Sequence, residues 1–364
     1  MKYKQWNQTA SDPAAVAALE RAGLPTLAAM TLCARGMDTP EKARAFLDAG
    51  RGQLQDPLLM KDMDRAAARL ARALAAGETI AVYGDYDVDG ITSTSLLTDF
   101  LRREGGDVIP YIPDRMEEGY GLNREAVAAL HAQGVGLIIT VDCGITAVEE
   151  AAYAAALGVD VVITDHHECK EALPAALAVV DPRRPDCPYP FKCLAGVGVA
   201  LKLVLALGGP ERREELLRKY ADLAAIGTVA DVMSLTGENR TIVRLGLAEL
   251  RRTRRPGLKA LLREAGLEEK PLTSTSVGYT LAPRINASGR MGCAALAGEL
   301  LLTGDPVRGE ELARQLCTLN RERQAIEAGI YAQCLERADA LPRSRRHALV
   351  LAGEHWHQGG AGIV

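Results

Sequence analysis

Residues 79–90, TIAVYGDYDVDG, join a short apolar run to a turn that carries three aspartates. Four more apolar runs, rich in β-branched residues and bounded by turn residues, follow it: DVIPYIPD (107–114), GLIITVDCG (136–144), VDVVITDHH (159–167) and LAVVDP (177–182). Helical segments such as STSLLTDFLRREG (93–105) separate the runs. Strands that alternate with helices at this interval predict an α/β fold with a doubly wound, mainly parallel sheet.

Acidic residues and histidines stand where these predicted strands end. They are Asp85, Asp87 and Asp89 after the first strand, Asp142 after a later one, and Asp165, His166 and His167 after the next. Ligands of open α/β sheets bind beyond the carboxyl ends of the strands. We therefore expect three strand ends to converge on one crevice.

The aspartates at positions 85, 87 and 89 favour a metal site. Like charges this close repel one another, and burying them is costly unless a cation lies among them. An exposed acidic turn and a calcium loop are the alternatives. An EF-hand loop needs Gly at its sixth position and Glu at its twelfth. Gly90 takes the sixth place, but Leu96 takes the twelfth, and a buried strand precedes the loop.

The adjacent histidines extend the predicted metal site. Alone, such a pair is equally consistent with a surface position, but these two follow an apolar strand beside other acids. We expect one imidazole to bind metal and the other to contact a phosphate or an outer carboxylate. Mixed carboxylate and imidazole ligands suit Mn²⁺ or Mg²⁺ better than zinc. Asp142 and Asp231, the latter placed in a helix over 221–233, complete the set.

Two such ions about 4 Å apart can activate a water and neutralise a phosphate. The residues therefore predict phosphoester hydrolysis without identifying the substrate. Arg284, Asn286 and Arg290 lie in GYTLAPRINASGR (278–290), which we interpret as a Gly/Pro-framed loop. Arginines in such a loop suit bidentate phosphate recognition, and a salt-bridged interdomain loop is the alternative. Arg115 is a similar candidate.

Composition narrows the ways in which a nucleic acid could be held. The chain has 364 residues, 48% hydrophobic and 25% charged, which predicts two or three domains with a sizeable core. Its net charge is −4, so we expect nucleic acid to bind in a local basic groove or through metal ions. The basic run over 251–255 is either a phosphate-tracking patch or a solvated face, which such runs more often are.

The lack of a recognisable targeting signal and the spacing of the cysteines predict a cytoplasmic protein. The eight cysteines form no CxxC pair, which favours free thiols in a reducing compartment. No apolar run approaches the roughly 18 residues of a membrane span, so we expect no membrane association. The N-terminal residues lack the apolar segment of a signal peptide.

The predicted secondary structure divides the chain into four segments. Residues 1–77 form a predicted helical extension, and residues 78–240 form the α/β core. Residues 241–345 are the helical remainder, with a long linking helix over 306–340. A final strand is expected over 347–353.

The order of motifs GDYDVDG, VDCGIT, TDHHE, GTVADVMSLTGENR and APRINASGR resembles the DHH phosphoesterase superfamily and, within it, the RecJ exonucleases. The leader segments ARGMDTPEKARAFLD and LQDPLLMKDMDRA share this resemblance, and other DHH enzymes lack them. The resemblance implies Mn²⁺- or Mg²⁺-dependent degradation of single-stranded DNA from its 5′ end to mononucleotides, in recombination and repair. By motif position it implies metal ligands at Asp85, Asp87, Asp89, Asp142, His166 and Asp231, and catalytic roles for Asp87, His166 and His167. It also implies phosphate contacts from Arg284, Asn286 and Arg290.

The resemblance carries further expectations. RecJ proteins continue into a DHH-associated domain and usually an OB-fold, so residues 346–364 are expected to be the truncated start of the associated domain. The implied partners are a single-strand-binding protein and a RecQ-type helicase, and the implied state is a monomer. Two alternatives remain open: a DHH phosphodiesterase that acts on short oligoribonucleotides or cyclic dinucleotides, and a non-catalytic replication scaffold.

Overall fold

The computed structural model describes residues 10–341 and 348–363. All five predicted strands form, and every neighbouring pair is parallel, which confirms the α/β class. Their bounds are β1 Thr79–Tyr83, β2 Asp107–Tyr111, β3 Val135–Val141, β4 Asp160–Thr164 and β5 Ala178–Val180. The strand order is β2-β1-β3-β4-β5, so the direction of winding reverses between β1 and β3. A crevice at such a reversal is where open sheets bind their ligands.

Helices cover both faces of the sheet. One face packs on α4 (Met63–Ala76), α5 (Val88–Arg103) and α8 (Gly196–Ala230), and the other packs on α6 (Arg124–Ala132) and α7 (Val148–Ala156). Successive residues of a strand point to opposite faces. Accordingly, Ile80 and Val82 of β1 belong to the first core, whereas Ala81 and Tyr83 belong to the second. Burial on both faces explains why the strands are continuously apolar.

Short helices precede the sheet, as predicted. They are α1 (Pro13–Arg21), α2 (Thr26–Ala34) and α3 (Pro40–Asp48), which share a small core built around Leu19 and Leu32. Thr39 caps α3 by accepting a hydrogen bond from the Lys42 N–H, and Pro40 takes the first helical position.

The chain after β5 is mostly helical. Its helices are α8, α9 (Gly237–Leu250), α10 (Pro256–Glu264), α11 (Ser274–Ser276), α12 (Ala282–Arg290), α13 (Ala294–Leu302), α14 (Pro306–Asp339) and α15 (Gln358–Ala361). α8 is bent where Gly209 adopts a positive φ just before Pro210. The predicted long helix is confirmed as α14. Among the described helices, none has the length and apolar character needed to span a membrane.

A buried polar network ties the segment before α4 to α8 and α9. Lys202 on α8 forms an ion pair with Glu238 on α9, and both side chains are almost fully buried. Lys202 Nζ also donates to the Gln55 carbonyl at 2.8 Å, while the Gln55 N–H donates to Glu238 at 3.0 Å. Tyr189 donates its hydroxyl to the other Glu238 oxygen at 2.6 Å. A buried ion pair whose other polar atoms are also hydrogen-bonded fixes the register between these elements.

The segment 278–290 is helical, so its interpretation as a loop is wrong. The chain passes from α11 through a π-helical turn, Val277–Leu281, directly into α12. Pro283 lacks an N–H, and its ring would collide with a carbonyl of the preceding turn. The Ala282 N–H reaches back to the Val277 carbonyl, five residues away, and this widened turn accommodates the proline.

The strand expected over 347–353 is also wrong for its described part. His347 lies outside the described residues, and residues 348–353 belong to no strand. A strand requires a hydrogen-bonded neighbour, and this segment lies beside α14, where the Ala352 carbonyl accepts from Arg337. Val350 is fully exposed, so its apolar character did not indicate a core position.

Candidate metal centre

The first acidic group spans the crevice between β1 and β3. Asp85 and Asp87 follow β1, and Asp142 follows β3 in a left-handed backbone conformation with φ of 61°. One carboxylate oxygen from each of these three side chains lies within 4.8 Å of the others. The strand order therefore brings together residues that are far apart in sequence.

The start of α5 orients Asp87 and Asp89. Asp87 is the N-cap of this helix, and its Oδ1 accepts the Gly90 N–H at 3.0 Å. Asp89 lies in the first turn and accepts the N–H groups of Gly196 and Val197 at 2.7 and 2.8 Å. Those two amides belong to the N-terminus of α8, whose free N–H groups and dipole favour an anion.

His166 joins a second group with Asp89 and Asp231, whose ligand atoms again lie within 4.8 Å of one another. The sequence predicts Asp231 inside a helix over 221–233. In the structure this residue is the C-cap of α8, one residue beyond the last helical residue. Val232 follows in a left-handed conformation with φ of 57°, which ends the helix there. Asp231 therefore reaches the centre from a helix end.

The two groups meet between His166 and Asp142. His166 Nε2 lies 3.0 Å from Asp142 Oδ1, yet neither atom has a hydrogen-bond partner among the described residues. Asp85 Oδ1 and Asp231 Oδ2 are likewise buried without a partner in the described chain. Buried acceptors of this kind are costly unless something else satisfies them. Carboxylate and imidazole donors that converge without bonding to each other fit a pair of divalent cations.

The electrostatics of the site also favour cations. Burial, followed by the charge of Asp87, raises the pKa of Asp85 to about 7. Burial, again followed by Asp87, raises the pKa of Asp231 to about 6. Burial also raises the pKa values of Asp89 and Asp142 well above the usual range. Burial and mutual repulsion therefore disfavour the ionised carboxylates, and a bound cation would favour them.

His167 belongs to a third group with Asp142 and His166, and it also forms a hydrogen-bonded pair with Asp165. His167 Nδ1 lies 2.7 Å from Asp165 Oδ1, and this hydrogen bond raises the pKa of His167. Asp165 is fully buried, but its bonds to His167 and to backbone N–H groups lower its pKa despite that burial. The His167 side chain is 45% exposed. A partly exposed, proton-retaining imidazole is suited to contact a phosphate.

Arg115 and Arg290 supply positive charge near the acids, and Arg323 lies near Arg290. The Arg115 guanidinium lies 4.9 Å from the centre of the Tyr86 ring. Arg290, at the end of α12, is half-buried, and its pKa is lowered by burial and then by the charges of Arg115 and Arg323. Arg323 on α14 pairs with Glu327 at 2.7 Å and was not predicted. Nothing in its sequence context distinguishes it from the other charged residues of that helix.

The remaining candidates on α12 differ in placement. Asn286 and Arg290 are four residues apart and so share a helix face. Arg284 lies off that face and donates to the Thr280 carbonyl at 2.5 Å. Within the described residues, neither Arg284 nor Asn286 has a contact with the acidic groups. Their predicted phosphate contacts stay predictions.

Close-packed glycines shape the centre and were also missed. A Cβ on Gly196 would lie 2.4 Å from Asp142 Oδ1, and one on Gly227 would lie 2.7 Å from Asp89 Oδ1. A Cβ on Gly289 would lie 2.1 Å from the Tyr86 carbonyl oxygen. All three distances are shorter than a van der Waals contact, so only glycine fits. A glycine within a helix gives no sequence signal of such an approach.

The parallel sheet and most of the acidic and histidine side chains at its strand ends lie in a part of the chain that matches a known family. A model of the DHH family, N-terminal domain, matches residues 79–228. The chain belongs to the RecJ family within that class. A curated relative, the single-stranded-DNA-specific exonuclease RecJ of Bacillus subtilis (strain 168), is 46% identical over 95% of this chain and 43% of the relative. The single-stranded-DNA-specific exonuclease RecJ of Dickeya dadantii (strain 3937) is 39% identical over 94% of this chain and 61% of the relative.

Solved structures agree with this membership. A crystal structure of exonuclease RecJ bound to manganese matches with a TM-score of 0.75 and 39% identity, over 85% of this chain and 77% of that one. RecJ from Thermus thermophilus in complex with Mn²⁺ matches with a TM-score of 0.82 and 36% identity, over 97% of this chain and 50% of that one. The chain spans about half the length of the curated relatives that it matches.

Proposed function

We propose that this chain hydrolyses phosphodiester bonds of single-stranded DNA from the 5′ end, releasing mononucleotides, with two Mn²⁺ or Mg²⁺ ions. The observation that supports this most directly is the approach of His166 Nε2 to Asp142 Oδ1, where two three-ligand groups meet without hydrogen bonding. The family's named activity on single-stranded DNA, and the manganese and magnesium of its solved structures, support the substrate and the ions.

The proposed ligands divide between the two groups. Asp85, Asp87 and Asp142 would hold one ion, and Asp89, His166 and Asp231 would hold the other. Two divalent cations at such a site supply Lewis acidity, which activates a water and neutralises phosphate charge.

The side chains around the ions would orient the substrate. His167, whose protonated form is favoured by its bond to Asp165, would donate a hydrogen bond to a phosphate oxygen. Arg115 and Arg290 would bind neighbouring phosphates, since guanidinium groups form paired hydrogen bonds with them. Asn286 shares a helix face with Arg290 and is proposed to contact the same backbone, whereas Arg284 is proposed on motif position alone.

A direct test compares DNA strands that carry a block at one end. The purified chain would be incubated with Mn²⁺ and a labelled oligonucleotide that is free at both ends, blocked at the 5′ end or blocked at the 3′ end. We expect shortening of the free and 3′-blocked strands only, and none with EDTA or with duplex DNA of the same sequence. Faster cleavage of an RNA dinucleotide or a cyclic dinucleotide would favour a different phosphodiesterase activity. No Mn²⁺-dependent cleavage of any substrate would contradict the proposal.

Partners, location and domain limits are proposed from the family resemblance. We propose a cytoplasmic monomer that works with a single-strand-binding protein and a RecQ-type helicase. Residues 78–240 would carry the chemistry, with 1–77 as an extension, 241–345 as a helical link and 346–364 as the start of an associated domain. Sedimentation of the purified chain, alone and with each partner, tests the monomer and both associations.

A further inference from the structure

The far end of α9 forms a groove with the chain that surrounds α10. Two adjacent cavities of about 520 and 410 Å³ share Arg251, Arg252 and Leu272. We call the two cavities together the α9–α10 groove. α9 begins near the metal centre, because Asn239 in its first turn donates to the Ser234 carbonyl, just after Asp231. The groove begins at Arg244, halfway along α9, and continues past the C-terminal end of the helix, about 20 Å from its start.

The walls of the groove combine leucines with basic side chains. Its apolar lining includes Leu247, Leu262 and Leu272. Its cations are Arg244, Arg251, Arg252, Lys259 and Lys270, and its carboxylates are Glu268 and Glu269. Basic residues thus outnumber acidic ones around an aliphatic floor.

Most of these cations lack a partner. Arg252 forms an ion pair with Glu249 at 2.7 Å. Glu268 forms an ion pair at 3.4 Å with Arg263, which does not line the groove. Arg244, Arg251, Lys259 and Lys270 are exposed and form no ion pair with any residue in 10–341 or 348–363. Like charges gathered on one surface repel one another, and an anion placed between them relieves that repulsion.

The lining favours a peptide over a nucleic acid. Proteins that hold single strands without sequence preference combine basic side chains with aromatic rings on which the bases stack. The groove has no aromatic residue among those that line it, and its apolar surface is aliphatic. Leucine side chains pack well against the aliphatic side chains of a peptide, while arginine and lysine pair with its carboxylates.

We propose that the α9–α10 groove binds an acidic, aliphatic peptide segment of a partner protein. Carboxylates of the segment pair with Arg244, Arg251, Lys259 and Lys270, and its aliphatic side chains pack on the leucine floor. This docking surface is separate from the metal centre and does not depend on the chemistry proposed there.

Fluorescence anisotropy of a labelled synthetic peptide tests the proposal. The probe alternates aspartate with leucine, and a second probe replaces each leucine with serine. We expect the first probe to bind the full chain, and Arg251→Glu or Lys259→Glu to weaken that binding by at least about tenfold, because each change replaces an attraction with a repulsion. Arg35→Glu is the matched control, since Arg35 is an exposed arginine on the N-terminal helices, and it should leave the affinity unchanged.

Three outcomes would overturn the proposal. One is no binding of the aspartate–leucine probe, and another is equal binding of the serine probe, which would show ion exchange without use of the leucine floor. The third is that Arg251→Glu weakens binding of an oligothymidylate but not of the peptide, which would make the groove a track for DNA. Circular dichroism of each variant separates these outcomes from misfolding, because both substitutions lie on exposed side chains.

Discussion

Asp87 has two separable roles at the start of α5. Its side chain caps the helix by accepting the Gly90 N–H, and the same carboxylate belongs to the first acidic group. An asparagine can retain the cap because it keeps an acceptor oxygen, but it lacks the negative charge. An alanine provides neither function. The two substitutions therefore distinguish local structure from metal binding.

We expect both Asp87→Asn and Asp87→Ala to lose Mn²⁺ affinity by at least about 100-fold, since ligand loss costs no less than loss of an outer partner. The alanine variant should also unfold more easily than the asparagine variant, by about 1 kcal/mol, because only it loses the cap. Titration calorimetry with Mn²⁺ measures the first effect, and urea unfolding in EDTA measures the second. Mn²⁺ binding by the asparagine variant at the affinity of the unchanged protein would exclude Asp87 as a ligand.

The raised carboxyl pKa values predict how stability depends on pH without metal. The pKa of Asp85 is raised to about 7 and that of Asp231 to about 6, both from an ordinary 3.8. A group whose pKa is higher in the folded state stabilises the fold while protonated, and this stabilisation is lost as pH rises through the folded value. Burial lowers the pKa of His166 to about 4, and this has the opposite effect, but only below its ordinary value of 6.5.

Thermal melting in EDTA should therefore show a midpoint that falls by at least about 3 °C between pH 6 and pH 8. Added Mn²⁺ should reduce the fall, because bound cations stabilise the ionised carboxylates. Asp181 is also buried, with a pKa raised to about 7, but it lies outside the three-residue groups. Asp181→Asn therefore shows how much of the fall arises elsewhere. A midpoint that rises over this interval in EDTA would contradict the prediction.

At the scale of elements, the N-terminus of α8 forms part of the metal centre. Gly196 donates its N–H to Asp89, and its missing side chain leaves the space that Asp142 occupies. Gly196→Ala would place a methyl group against the Asp142 carboxylate and displace it. We expect Mn²⁺ affinity to fall by at least about tenfold, as for other changes that misorient a ligand.

Gly304→Ala is the matched control for this substitution. A Cβ at Gly304 would meet nothing within 4 Å, so binding should be unchanged. Calorimetry with Mn²⁺ compares the two variants, and their far-ultraviolet spectra show whether each is folded. Equal Mn²⁺ affinity in the two folded variants would mean that Asp142 does not need the space beside Gly196.

The elements differ in how far sequence alone could predict them. The strands were predictable because each is a short apolar run bounded by turn residues, which is a local signal. The π-helical turn before Pro283 was not, because glycine and proline locally favour a loop, and packing of the helix overrides that preference. Asp231 was assigned to the correct helix, but its position at the C-cap depends on the left-handed Val232.

At the scale of the whole molecule, the predicted helical extension, α/β core and helical remainder share one hydrophobic core. One continuous apolar cluster extends from Leu54, before α4, to Cys317 on α14. α9 also contains position 240, where the sequence predicts that the α/β core ends. The meeting of Arg115, Arg290 and Arg323 was not predictable, because it depends on how α12 and α14 pack against the sheet. The rules of parallel sheet topology predict that strand ends lie at one edge. They do not predict where the helices after the sheet pack.

The buried Lys202–Glu238 pair tests how tightly these regions are joined. Lys202→Met leaves the Glu238 carboxylate buried without its counter-charge, so we expect the free energy of unfolding to fall by about 3–5 kcal/mol. The double variant Lys202→Met/Glu238→Gln removes both charges; the amide oxygen can accept the Gln55 N–H, and the amide N–H can donate to the Tyr189 hydroxyl oxygen. It should recover most of the loss. Urea unfolding of the two single variants and the double variant measures this, and simple addition of the single effects would show that the pair is not coupled.

The spacing of the two acidic groups along the chain also has a consequence for biosynthesis. A chain is made from its N-terminus, and its regions begin to fold in that order. The proposed ligands Asp85, Asp87 and Asp142 have all been made when synthesis reaches position 142, whereas the group with Asp89 and His166 is complete only when Asp231 has been made. Asp142 belongs to the first group and lies 3.0 Å from His166 of the second, so an ion bound early would neutralise part of the crevice before α8 packs over it. With the two ions proposed here, the nascent chain would bind them at different times, and manganese or magnesium supply during translation would influence how much of it matures.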